Sequence, residues 1–356
     1  MDHEDAVPGG SRPLLVRVPT EPVEAAVEAD AVDAARREGT LVVRGPLFGV
    51  VAQAAEDGPR WRVVCPVTDG CPQLARDGLN SLLWNLARSP DLSREERREL
   101  LAAVARLETE TVDELRVLGT RYRIVRAEEY AVAADGGIEG PRPTDPEPPV
   151  PDWNRASREP DIDDGLVLDP EAPVTPSQAL EQLALRDLRY TGSRFPDEVR
   201  ADSDRALTTH PDVLLLPACF TVVERHAAGW SPTSGPHPTA HAARKSLVFA
   251  LTWLWPRQHG LIPFECDPTT DADSPTVDGR PCSELIPYAQ AAAALRAERP
   301  DRLEFRGSVH QIGRTRRLVR WGPDGPEGPR PSDVNSQPPT QIHPPLDEDG
   351  RILPEL

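Results

Sequence analysis

The stretch "DELRVLGTRYRIVRAEEYAVAADGGIEGPRPTD" (Asp113–Asp145) returns 188 positions later, without a gap, as "DRLEFRGSVHQIGRTRRLVRWGPDGPEGPRPSD" (Asp301–Asp333). Twelve of the 33 positions are identical, where background composition gives about two or three. The match extends upstream. "ADAVDAARREGTLVVRGPLFGVV" (Ala29–Val51) aligns with "ADSDRALTTHPDVLLLPACFTVV" (Ala201–Val223), an offset of 172. "ARDGLNSLLWNL" (Ala75–Leu86) aligns with "ARKSLVFALTWL" (Ala243–Leu254), an offset of 168. Order is kept, and offsets change only between the aligned stretches. Self-similarity of this kind is the mark of an internal duplication, one unit of roughly 120 residues used twice.

Each unit reads as mixed helix and strand, so the expected fold class is α+β, with two similar units packed as a pseudo-dimer in one chain. A helix near Val23–Arg37 leads into apolar, β-branched runs at Leu41–Arg44 and Phe48–Ala52, then "RWRVVC" at Arg60–Cys65. Ala75, Leu79, Leu82, Leu83 and Leu86 follow helical spacing. Ser93 with Glu96 is a capping-box pair opening a helix whose buried side holds Leu100, Leu101, Val104 and Leu107. "DELRVLGTRYRIVR" reads as a hairpin turning at Gly119, with Gly307 its counterpart. Period two sets Arg121 and Arg123 opposite Tyr122 and Ile124, on what reads as a solvated face.

These elements divide the chain. Residues 1–148 form the first unit, ending in a proline-rich strap. Residues 149–174 are an acidic, proline-rich linker by composition. Residues 175–335 hold a connecting helix, capped by Thr175 with Pro176 at its first position, and the second unit. Residues 336–356 form a proline-rich tail expected to be loosely held. In the straps, "GPRPTD" and "GPRPSD", proline keeps the chain extended and a turn at Pro323–Gly325 redirects it. A stiff strap loses little entropy on docking. It is expected to lie across its own unit, the other possibility being a ligand for a partner's aromatic groove.

Composition excludes several classes. Of 356 residues, 38% are apolar and 28% charged, enough to bury a core, and 41 are proline. The formal charge of −18 offers no basic field for nucleic acid or an anionic membrane, so neither is expected as a partner. Lys245 is the single lysine among 40 basic residues, an arginine bias that fits a high-GC genome. No apolar run approaches the ~18 residues of a membrane span. The stretch "MDHEDAVPGG" is acidic where a signal or transit peptide is basic. The expected location is cytoplasmic, and Cys65, Cys71, Cys219, Cys266 and Cys282 read as reduced thiols.

No catalytic set declares itself. His237 and His241 have the i, i+4 spacing of a helical metal pair, but Pro238 intervenes and the accompanying Glu is missing. Cys65 and Cys71 are spaced too widely for a usual zinc pair, and "DIDDG" lacks the ligand spacing of a calcium loop. Neither a phosphate loop, a dinucleotide fingerprint nor a nucleophile elbow occurs, so neither cofactor nor metal is expected. The sharper signal is polar identity between units: Arg76 and Arg244, Glu110 and Glu298, Asp113 and Asp301, Arg126 and Arg314. Such pairs serve either as salt links within each unit or as equivalent ligand sites. Arg126, Arg314, Arg142 and Arg330 are the binding candidates, since a guanidinium fork suits carboxylate and phosphate. The expectation is a non-enzymatic binding or interaction protein whose partner is a protein or a small anionic ligand. The alternative is an enzyme acting on a small anion at the cleft between units.

"VCPVTDGCPQLARDGLNSLLW", "GTRYRIVRAEEY" and "RLVRWGPDGPEGPRPSDVNSQ" together resemble an uncharacterised group from high-GC actinobacteria, domain-of-unknown-function family 5954. The resemblance covers nearly the whole chain. It implies a bacterial, intracellular setting and carries no assigned catalytic residues.

Overall fold

A computed structural model describes residues 11–353 apart from Glu38, Asp135, Ala228, Pro275 and Asp278. The acidic amino-terminal decapeptide and the last three residues lie outside it. The first half runs α1 (Pro22–Ala35), β1 (Thr40–Gln53), β2 (Trp61–Asp69), α2 (Pro72–Ala87), α3 (Arg94–Leu107), β3 (Glu114–Val117), β4 (Thr120–Ala134) and β5 (Gly137–Ile138). The middle adds β6 (Val167–Leu168) and α4 (Pro176–Leu185). The second half runs α5 (Asp197–Thr209), β7 (Asp212–His226), β8 (Gly229–Pro232) and α6 (Ala240–Phe249). Helix α6 continues through a π turn (Ala250–Leu254) into α7 (Trp255–Gln258). A small two-stranded ladder, β9 (Thr276–Val277) with β10 (Arg280–Pro281), precedes α8 (Ile286–Glu298), β11 (Arg302–Phe305), β12 (Ser308–Gly322) and β13 (Gly325–Pro326).

Local chemistry accounts for most of these elements. The capping box of Ser93 and Glu96 opens α3, which buries Leu100, Val104 and Leu107. Thr175 caps α4 with Pro176 behind it. The β3–β4 and β11–β12 hairpins turn through Leu118–Gly119 and Arg306–Gly307, all four with φ between 49° and 84°. That is the left-handed pair a two-residue hairpin loop requires, and glycine supplies its second half without strain. One difference is informative. Leu41–Arg44 and Phe48–Ala52 are one strand, because Gly45 at φ 143° absorbs a bulge that "RGP" reads as a break.

Among the described residues eleven strands form one sheet, whose spine is β6-β2-β1-β4-β12-β7-β8. The halves meet at an antiparallel seam where Tyr130 faces Arg316, Glu129 faces Arg317, Glu128 faces Leu318 and Ala127 faces Val319. Residues 129 and 317 are 188 apart, so the central pair joins positions aligned with one another. The register therefore reads the same from either strand.

Alternation along β4 divides the core. Ile124 joins Phe48 and Val50 beneath α2 and α3. Phe220, Val222 and Ile312 do the same beneath α6 and α8. On the opposite face Val125 and Ala127 share one cluster with Leu216, Val319 and Trp321 of the second half, closed by Trp61 and Leu168.

Two stretches with linker composition are firmly placed. In the 149–174 segment Asp163 makes a bidentate pair with Arg317 at 2.6 and 2.7 Å, both side chains fully buried. The tail is not loosely held. Leu346 enters the first-half core, His343 stacks on Trp84 at 4.5 Å, and Arg97 donates to the carbonyl of Glu348. Proline makes both stretches irregular, but buried anchors decide their positions. No helix among the described residues is long and apolar enough to cross a membrane.

Candidate functional site

The straps carry the first correction. The backbone N–H of Arg314 donates to Glu139, and that of Arg126 donates to Glu327. Asp145 of the first strap then holds Arg314 at 2.9 Å, and Asp333 of the second holds Arg126 at 3.0 Å. Each strap therefore reaches the central strand of the other half, while the N–H groups of Glu139 and Glu327 stay on their own strands at Val132 and Arg320. Thr144 and Ser332 also hold to their own half, on Asp30 of α1 and Asp202 of α5. The exchange continues beyond the straps. Glu147 pairs with Arg244 at 2.6 Å, and Asn335 accepts from Arg76 at 3.2 Å. The cause is the seam. The antiparallel register carries the end of β4 beside Ile312–Arg314, so the departing chain meets β12 first.

All four arginine candidates lie in this exchange, in two clusters. Buried Arg126 sits between Glu128 (2.5 Å) and Asp333, and Glu128 also receives Tyr190 Oη (2.6 Å) and Arg330 (3.3 Å). Arg330 donates to Glu327. Burial works against ionising Glu128, yet Arg126 and Arg330 outweigh it and hold the carboxyl below its usual range. In the second cluster Arg314 holds Asp145, Arg142 donates to Glu139 at 2.6 Å, and Arg316 bridges Glu139 and Glu181. Burial and the neighbouring Arg314 lower Arg142 from the ordinary arginine value. These guanidinium groups are engaged by the protein's own carboxylates. Arg76 with Asp113 and Arg244 with Asp301, each at 2.6 Å, are salt links within their halves.

Other sequence candidates are placed as follows. Arg121 and Arg123 are not on a solvated face. Both bind Glu114 and Asp324, and both lie over the Trp61 ring at 5.2 and 5.1 Å. The main chain of His237 pairs with Phe220, whereas His241 Nε2 contacts the carbonyl of Asp152. Among the described residues no group of three His, Cys, Asp or Glu side chains could hold a metal. Cys65, pushed up to about 12 by burial and Asp69, is an inert thiol.

One further opening was touched by the sequence reading, as a candidate site, only through His237, which lines it. A cavity of about 490 Å³ lies against α6 and the π turn, roofed by part of the 149–174 segment. Its apolar wall includes Trp153, Val248 and Phe249. Its charged lining is Arg155, Lys245 and Arg296 against Glu159, Asp271 and Asp273. Lys245 donates to Glu159 at 2.6 Å and to Ser157, pinning the roof to α6. Arg296 forks onto Asp273 at 2.8 and 2.6 Å. Burial and the adjacent Asp273 raise Asp271 above the usual aspartate range. A π turn is rare inside a helix and is frequent at functional sites, and here it supplies Thr252 to the wall. Lys245 also stood out in the sequence, but it pointed only to codon usage.

Residues 21–336 match the model of a family described as "Family of unknown function (DUF5954)". The chain belongs to this family. Neither the curated proteins nor the solved structures gave a match to this DUF5954 chain. Its chemistry is therefore argued from its own geometry.

Proposed function

We propose that this chain is a non-enzymatic, cytoplasmic binding protein made of a duplicated unit, and that the second half takes a small molecule into the cavity on α6. The unit boundaries are those of the sequence, 1–148 and 175–335. The repeated order of elements and the self-matching seam support the duplication. The cavity carries the functional reading. At about 490 Å³ it falls within the range of small-molecule sites, and it joins an aromatic wall to a few fixed polar groups. In its wall Thr252 donates to the carbonyl of Val248.

The test is a fragment screen followed by amide chemical shifts, run beside a Ser246→Trp variant that fills the cavity. Fragment-induced shifts should cluster at Trp153, Lys245 and Phe249 and vanish in S246W. Shifts scattered over the surface, or unchanged in the filled variant, would overturn the reading.

A further inference from the structure

The charges lining the cavity pair off unevenly. Lys245 is spent on Glu159, and Arg296 on Asp273. Among the described residues no ion pair engages the remaining two, Arg155 and Asp271. The Arg155 guanidinium lies 4.5 Å from the centroid of Phe249 and 4.8 Å from that of Trp253. Stacking spends the flat faces of the group and leaves its in-plane N–H donors available for a bidentate carboxylate. Asp271 accepts backbone N–H groups from Asp273, at 3.1 Å, and from Ser274, and it feels the Arg296 guanidinium without forming an ion pair with it. An ionised carboxylate has about four acceptor positions, so part of its capacity remains. Exposed Arg155 and half-buried Asp271 are thus the lining cation and carboxylate without an ion pair, with the rings of Trp153 and Phe249 on the wall.

We infer that the occupant is a zwitterion of the amino-acid type with a planar apolar side chain. Its carboxylate pairs with Arg155, its ammonium with Asp271, and its ring lies on the aromatic wall. The inference rests on the cavity being the binding site. A simple anion would satisfy Arg155 but bring its charge toward Asp271, inside a chain whose formal charge is −18. A simple cation would satisfy Asp271 and leave Arg155 unmatched. Only a ligand carrying both charges leaves neither group unpaired as water is displaced.

Three probes differing only in charge test this: L-phenylalanine, 3-phenylpropanoate and 2-phenylethylamine. Each is titrated against the full chain with amide shifts of cavity residues as the readout. Phenylalanine should bind about tenfold more tightly than either singly charged probe, the factor that one modest charge pair contributes. Asp271→Asn should bring phenylalanine to the level of phenylpropanoate without weakening phenylpropanoate. Arg155→Gln should bring it to the level of phenylethylamine without weakening the amine. If a singly charged probe binds as tightly as phenylalanine, or both variants weaken all three alike, the zwitterion is wrong. The cavity reading survives that result as long as the shifts map to the cavity and disappear in S246W. If neither the fragments nor the three probes move cavity residues, the cavity reading itself has failed, and the zwitterion with it.

Discussion

After each strap the chain crosses to the other half and runs over a helix, and the two crossings end differently. The tail covers α2. Trp84 fills the space beneath it, stacked on His343 and donating to the carbonyl of Pro344 at 3.0 Å. Ser81 meets His343 Nε2 at 2.8 Å, and Asp77 accepts from Gln337. The 149–174 segment covers α6, where the aligned positions, 168 residues on, are Thr252, Phe249 and Lys245. Lys245 grips Ser157 and Glu159, and the cavity lies beside the smaller Thr252 and the π turn. The two crossings thus differ at the aligned position, tryptophan on α2 and threonine at the π turn.

The largest effect should come from unfastening the segment that roofs the cavity. Arg317→Ala leaves Asp163 buried without its partner, and breaking a buried pair from one side costs about 3–5 kcal/mol. Urea unfolding should report that loss, and amides of the 149–174 segment should exchange faster. If stability is unchanged, the segment is not anchored as described.

Next in size is Trp84→Thr, which gives the first half the side chain of the second. Removing most of a buried indole should cost about 3 kcal/mol and release the tail, read as a lower thermal midpoint and faster proteolysis beyond Gln337. A tail that stays protected would show that Trp84 is not what seals this side.

The smallest effect tests the Asp324 turn, where the second half reaches the arginines on Trp61. Hydrogen bonds from Arg121 and Arg123 hold the Asp324 carboxyl at about 2, below its ordinary 3.8. Its contribution is thus fully present above pH 4 and is lost as pH falls through 2. The side chain is 72% exposed, so solvent screening reduces the expected cost of Asp324→Asn to about 0.5 kcal/mol at neutral pH. The difference from the parent should shrink near pH 2 and in high salt. A larger or pH-independent effect would mean that the turn acts through packing.

Much of the fold is legible without coordinates because its signals are local. The capping residues of α3 and α4, the glycines of both hairpins and the spacing of α2 each act within a few residues of where they are read. The arginine candidates show the limit. Arg126, Arg314, Arg142 and Arg330 stood out in the sequence because they repeat, but repetition does not say what occupies a guanidinium. Arg121 and Arg123 were misread for a related reason. Alternation places them on one face, whereas Trp61 and the turn at Asp324, far away in sequence, cover that face.

By itself the sequence determined mixed helix and strand, and hairpins at Gly119 and Gly307, each followed by a proline-rich strap. Those properties follow from backbone preferences and hydrophobic spacing, which short stretches carry alone. Only the tertiary structure decided where the straps go and where the chain is open. The antiparallel seam between β4 and β12 brings the end of each strand beside the middle of the other, so every strap meets the opposite half first. The cavity likewise lies where a segment anchored at Asp163 crosses α6 beside Thr252.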